Sequence, residues 1–224
     1  MLAKVFLPKT QNRTHFFPNL KGVNTLVFKP GINCIIGPNA SGKTTIINAF
    51  KWRKEFKGNR GYESISIPTY VDCEYTYKVS LTEPPKHILW YEPQAYSRFN
   101  SDISNEVMQT RGVDAFLRLG MYRESEGECC AHYFSQWFSK NQQALVDGSV
   151  IVLVDEIENS NDPVTVGMIM DTFHNWCEHN KQLQILITTH SPIVLSRADH
   201  VVETRKGWRE EMRKEYLKVL TQIE

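Results

Sequence analysis

The chain has 224 residues, a length that fits one domain of ordinary size and excludes a large multidomain machine. Its 26 Lys and Arg against 25 Asp and Glu give a formal net charge of +1, so the molecule as a whole is no polycation made to coat nucleic acid. Hydrophobic residues at 41% and charged residues at 23% exclude a disordered chain, and no apolar run approaches the ~18 residues that a membrane span needs.

The five cysteines lack C-x-x-C spacing and are odd in number, which argues against a zinc site and against a disulfide framework. With no signal-peptide pattern at the amino terminus, a soluble protein of the reducing cytoplasm, without membrane insertion, is expected.

In chain order, Thr25-Leu26-Val27-Phe28 and Ile32-Asn33-Cys34-Ile35-Ile36 read as two strands separated by the turn signature Lys29-Pro30-Gly31. From Thr44 to about Phe56 the pattern turns helical, with Ile46, Ile47 and Phe50 on one face. Residues 70–81 alternate strictly and read as a half-buried strand, expected to pair antiparallel with Ile88-Leu89-Trp90-Tyr91 across Glu83-Pro84-Pro85.

The polar, irregular stretch 95–122 is expected to form a mobile helical lobe. A helix over about 126–145, a continuous apolar strand at 150–154, a helix over about 163–180 and a second apolar strand at 183–187 follow. A short strand near 200–203 and a charged helix over about 209–223 close the chain. Unbroken apolar strands between helices predict an α/β fold with a central, mainly parallel sheet, to which the alternating segment adds an antiparallel β region.

Gly37-Pro38-Asn39-Ala40-Ser41-Gly42-Lys43-Thr44 matches G-x-x-x-x-G-K-[ST] between a predicted strand and a predicted helix. Such a loop lets backbone N–H groups surround phosphate oxygens, and the helix start adds a favourable dipole. Lys43 then reaches the β- and γ-phosphates of ATP, the Thr44 hydroxyl ligates Mg²⁺, and Thr45 supports the first helical turn.

The strand at 150–154 ends in Asp155-Glu156, two adjacent acids that are costly to desolvate and that nothing structural favours there. Asp155 suits the Mg²⁺ shell and Glu156 suits the base that polarises the attacking water; a solvated strand end is the bland alternative. The strand at 183–187 leads into Thr188-Thr189-His190-Ser191-Pro192, and neighbouring strands would carry His190 toward the γ-phosphate.

Taken in order, Gly37 to Thr44, Gln94, Ser125-Glu126-Gly127-Glu128, Asp155-Glu156, Asp162 and His190 resemble the ABC-type P-loop ATPases from end to end. The resemblance implies one ATPase domain over 1–224 with ABC head topology, and a helical signature lobe within it over 95–145. It implies that Gln94 reads the Mg²⁺ and the attacking water. It also implies that Ser125 and Gly127 contact the nucleotide of the opposite subunit, and that Asp162 is the acidic position of the dimer-contacting loop. Ser125-x-x-Glu128 also fits a local capping box.

Ser-x-Gly-Glu followed by Thr-His-Ser-Pro resembles the SMC/RecF/OLD branch more than a transporter subunit. Ala40 stands where that family's loop often has Gly, and Ile157 where it often has Pro. The branch's long coiled coil and appended nuclease domain are not expected here.

The resemblance therefore implies an ATPase whose ATP-induced head-to-tail homodimer encloses two nucleotides, with Glu156, His190 and Gln94 catalytic. DNA maintenance, repair or phage-related defence is the expected setting, with Lys51, Arg53, Lys54, Lys57 and Arg60 as the strip for DNA phosphates. The nucleotide-binding subunit of a transporter and an ATP-gated switch acting on an effector protein are the competing readings. For adenine, Phe16 or Phe17 is a candidate stacking partner, with core packing as the competing role.

Overall fold

The structure is a computed structural model that describes residues 3–6, 25–51, 63–68, 74–83, 85–91, 93, 126–159 and 161–221. Among the described residues the elements run in the order β1 (Ala3–Phe6), β2 (Thr25–Phe28), β3 (Gly31–Ile36), α1 (Lys43–Lys51), β4 (Glu63–Pro68), β5 (Glu74–Leu81), β6 (His87–Tyr91), α2 (Glu126–Val146), β7 (Val150–Asp155), α3 (Pro163–His179), β8 (Leu183–Thr188), α4 (Pro192–Arg197), β9 (His200–Glu203) and α5 (Trp208–Leu220).

These strands form two sheets. The larger has five parallel strands in the order β6-β7-β8-β3-β9, and the smaller has four antiparallel strands in the order β2-β1-β5-β4. This is the expected α/β class, a parallel sheet flanked by helices with an antiparallel sheet beside it. The helical lobe at 95–122 lies outside the described residues.

The unbroken apolar strands are explained by cover on both faces. On one side Ile35, Ile151, Leu153 and Leu186 pack with Ile46, Ile47 and Phe50 of α1 and with Leu26 and Phe28 of the small sheet. On the other, Ile32, Cys34, Ile36, Val152, Val154, Ile185 and Ile187 meet Val166, Ile169, Met170 and Phe173 of α3.

Aromatic rings lock α2 to the sheet edge. Trp137 Nε1 donates to the carbonyl of Trp90 at 2.6 Å, and the Tyr91 ring lies 5.2–5.8 Å, centroid to centroid, from Tyr133, Phe134 and Trp137. Each such pair contributes about 0.5–1.5 kcal/mol beyond its area.

One expectation about pairing is corrected. β5 does not pair with β6: it lies between β1 and β4, whereas β6 joins the parallel sheet beside β7. The short Glu83-Pro84-Pro85 link resembles a hairpin turn by composition, but the chain changes sheets there. β2 and β3, joined by Lys29 and Pro30, belong to different sheets.

Strands β1 and β4 and the short helix α4 carry no period long enough to be read in advance. Helix α1 is described as far as Lys51, so the expected continuation to Phe56 lies outside the described residues. Among the described residues, no helix is long and apolar enough to cross a membrane.

Candidate functional site

Three neighbouring strands, β7, β8 and β3, end on the same edge of the parallel sheet. The register pairs Asp155 with Thr188 and Thr188 with Ile35, so the acidic pair, the threonine run and the phosphate loop leave the sheet side by side. Ligands collect at the carboxyl ends of strands in open α/β sheets because loops there are free to diversify while the strands stay fixed.

The loop itself is built on close approach. A Cβ at Gly37 would fall 1.7 Å from Thr204 Oγ1 and 2.6 Å from Ser41 Oγ, so only glycine fits. Thr204 is fully buried; its N–H donates to the Ile36 carbonyl at 2.8 Å and its hydroxyl bonds Ser41 Oγ at 2.8 Å. The Ser41 N–H turns back to the Pro38 carbonyl at 3.2 Å, and the Ile46 N–H donates to Gly42 at 2.9 Å as α1 begins. The opening turn of α1, with Thr45 in it, therefore lies next to the loop, where a helix presents N–H groups and positive dipole to an anion.

Ala40 adopts φ 58° and Gly42 φ 81°. For alanine this left-handed conformation costs roughly 1 kcal/mol, a strain placed in the glycine-rich loop.

Lys43 is buried, 6% exposed, and its ammonium donates to the carbonyls of Gly37 at 3.2 Å and Pro38 at 3.4 Å. Burial lowers its pKa; Glu156, Asp155 and Glu158 pull the other way, and burial wins.

Opposite the lysine stand the acids. Thr44 Oγ1 donates to Asp155 Oδ1 at 3.2 Å, and the Thr188 hydroxyl donates to the same oxygen at 2.5 Å. The Glu156 N–H is held by Thr188 Oγ1 at 2.9 Å and by the Thr188 carbonyl at 3.0 Å, and its carboxylate accepts from Asn159 Nδ2 at 2.6 Å. These contacts fix Glu156 at φ 49°, a second non-glycine residue in the left-handed region, at the very position expected to act as base.

His190 follows β8 on the same edge. Burial lowers its pKa and Lys43 adds to the effect, while Glu158 and Glu156 oppose it, so the ring is neutral near pH 7. The coupling to Lys43, Glu156 and Glu158 places His190 in the same electrostatic neighbourhood as the phosphate loop.

The structure thus brings together Gly37, Pro38, Asn39, Ala40, Ser41, Gly42, Lys43, Thr44, Thr45, Asp155, Glu156 and His190. Gln94 and Ser125 lie outside the described residues, as do Arg53, Lys54, Lys57, Arg60, Phe16 and Phe17. Gly127 is the second residue of α2. Asp162 is the N-cap of α3, accepting from the N–H groups of Val164 at 2.8 Å and Thr165 at 3.1 Å and from the Thr165 hydroxyl at 2.5 Å. The Thr165 hydroxyl chiefly, with those amides, holds its carboxyl below the usual carboxylate range.

Three residues of the site were not marked by sequence reasoning. Thr188 needed the β7–β8 register to be seen against Asp155, and Thr204 needed the β3–β9 pairing. Glu158 reads locally as one more loop acid; only its contacts with Thr189 and His190 set it apart.

A family match falls on this same region. The model of an AAA domain family, AAA_23, matches residues 15–53, which carry the phosphate loop and α1. That match spans the glycine-rich Gly37–Thr44 loop and less than half of the chain. Among solved structures, the SMC head domain from Thermotoga maritima is similar at 17% identity, with 90% of this chain and 94% of that chain covered and a TM-score of 0.49. No curated protein matches.

The Gly37–Thr44 loop joins β3 to α1 at the edge of a parallel sheet flanked by helices, the P-loop arrangement of an α/β fold. Among its described residues no cluster of three or more His, Cys, Asp and Glu is arranged to hold a metal. The Thr44 hydroxyl and the Asp155 carboxylate lie 3.2 Å apart, two hard oxygen donors of the type Mg²⁺ prefers.

Proposed function

We propose that the protein is an ATP-hydrolysing P-loop ATPase of the SMC/RecF/OLD-like type, working as a head-to-tail homodimer that closes on ATP. The observation that carries this reading is the convergence of Lys43, Thr44, Asp155, Glu156 and His190 at the ends of three adjacent parallel strands.

The phosphate loop binds the triphosphate through its backbone N–H groups, and Lys43 exchanges its contacts with the Gly37 and Pro38 carbonyls for phosphate oxygens. Thr44 and Asp155 would hold Mg²⁺, which when bound supplies charge neutralisation on the phosphate oxygens. Glu156, positioned by Thr188 and Asn159, accepts a proton from the attacking water. Neutral His190 donates its ring N–H to a γ-phosphate oxygen, and Gln94 orients the water. Ser125 and Gly127 complete the site from the facing subunit, and Asp162 belongs to the dimer-contacting loop.

The work done with ATP is DNA maintenance, repair or phage-related defence, with Lys51, Arg53, Lys54, Lys57 and Arg60 on DNA phosphates and a protein effector as a further partner.

ATP turnover measured on the wild type and on Glu156→Gln tests the reading. Wild-type hydrolysis, a loss on the order of a hundredfold or more in the variant, and an ATP-dependent dimer that persists in Glu156→Gln are expected. Equal turnover in both proteins would remove Glu156 from the mechanism. DNA mobility shifts measured with ATP across a salt series test the partner: binding that weakens steeply with salt supports DNA, and no binding at low salt removes it.

A further inference from the structure

We infer that Glu158 is a positioning residue that ties the loop after the Asp155-Glu156 pair to His190, so that a shift of this loop is delivered to the histidine. The inference rests on the ATPase reading for its consequence, and on hydrogen bonds alone for its geometry.

Glu158 lies in the segment between β7 and α3, yet both of its carboxylate oxygens are engaged outside that segment. Oε1 accepts the backbone N–H of His190, and Oε2 accepts the Thr189 hydroxyl at 2.7 Å. The Thr189 hydroxyl in turn accepts the Ser191 N–H at 2.8 Å, and the Thr189 N–H donates to the Ile35 carbonyl at 3.3 Å. On the far side of His190, the Tyr216 hydroxyl of α5 donates to its carbonyl. The histidine's backbone is therefore gripped at both ends, by a carboxylate on one and a phenol on the other.

A structural role confined to the loop would not need these contacts, because the loop has anchors of its own. Asn161 Nδ2 donates to the Ile157 carbonyl at 2.7 Å, Asn159 Nδ2 holds Glu156, and Asp162 caps α3. What Glu158 adds is a two-point carboxylate link, beyond the β7–β8 ladder and the Thr188 hydroxyl, that reaches His190 itself. Hydrogen bonds to an ionised carboxylate are roughly twice as strong as neutral ones, and the bidentate arrangement fixes direction as well as distance. The loop it starts from is the one that also carries Asp162, on the side of the domain where the second subunit is proposed to dock.

The test is a double-mutant cycle with a nucleotide-free readout beside it. Glu158→Ala is expected to lower kcat about tenfold with KM for ATP changed by less than about threefold; Glu158→Gln, which keeps one acceptor oxygen and the side-chain volume, is expected to fall between it and wild type. Adding Glu158→Ala to His190→Ala is expected to cost nothing further, since Glu158 acts through the histidine. An additive cycle in a folded protein overturns the proposal.

Independently of turnover, the His190 amide proton is expected to move upfield and to exchange faster with solvent in Glu158→Ala without ATP, with a smaller change in Glu158→Gln. An unmoved His190 resonance overturns the link even if ATP is hydrolysed. A wild-type protein that neither binds nor hydrolyses ATP would sink the ATPase reading instead, and the amide data would still decide whether Glu158 holds His190.

Discussion

Thr188 holds Asp155. The two residues face each other at the ends of adjacent parallel strands, and the Thr188 hydroxyl donates to Asp155 Oδ1 at 2.5 Å while its oxygen accepts the Glu156 N–H at 2.9 Å. One fully buried hydroxyl thus orients both members of the acidic pair, the first by its proton and the second by its lone pair.

Thr188→Val keeps the shape of this side chain and removes both bonds. Asp155 loses its short donor, whereas the Glu156 N–H keeps the Thr188 carbonyl at 3.0 Å. A destabilisation of about 1–3 kcal/mol in urea unfolding is expected, with a larger fractional loss of ATP turnover than of ATP affinity. Unchanged unfolding and turnover would show that the hydroxyl is dispensable.

Gly37→Ala tests the close approach beneath the phosphate loop. The new methyl would collide with Thr204 Oγ1 at 1.7 Å and with Ser41 Oγ at 2.6 Å, so the Thr204–Ser41 hydrogen bond must break or the loop must lift. The expected outcome is a stability loss of about 1–3 kcal/mol with loss of nucleotide binding. Removing Thr204 Oγ1 by Thr204→Ala should restore part of the stability, as read from thermal melts of the single and double variants.

Lys43→Met separates binding from folding. Because burial outweighs the three neighbouring carboxylates and lowers the lysine pKa, the folded protein disfavours the ammonium relative to water. Nucleotide-free Lys43→Met is therefore expected to melt no lower than wild type. Its affinity for a fluorescent ATP analogue should fall on the order of a hundredfold, with loss of the melting shift that ATP gives the wild type. A variant that fails to fold without nucleotide would refute the electrostatic argument.

The His190 ring predicts a pH dependence of defined sign. Its folded pKa lies below the ordinary value of 6.5, held there by burial and Lys43 against Glu158 and Glu156. Between the folded pKa and 6.5 the unfolded chain binds more protons, so stability contributed by this residue is present above 6.5 and is lost as pH falls. Unfolding free energy measured from pH 7.5 to 5 should decline less steeply in His190→Gln than in wild type. Parallel curves would place the ring in ordinary solvent.

How much of this was legible beforehand follows from the range of each interaction. The strand-loop-helix from Ile32 to Phe50 and the apolar strands ending at Asp155 and near His190 are local patterns, and they appear where the periods put them. The pairing of β5 with β1 and β4 is not legible in its residues, because alternation reports that one face is buried without reporting which neighbour buries it.

By itself, then, the sequence determined the phosphate loop, the acidic pair, the histidine and the parallel sheet behind them. Glycine spacing, apolar runs and strand-end acids are properties of contiguous residues, and the physics that reads them acts over a few residues. Only the tertiary structure decided that Thr188 serves both acids, that Thr204 fills the space Gly37 leaves, and that Glu158 reaches His190. These contacts join residues that lie far apart in the chain, and they exist because the order β7-β8-β3-β9 stacks four strand ends along one edge, where hydrogen bonds form across strands rather than along them.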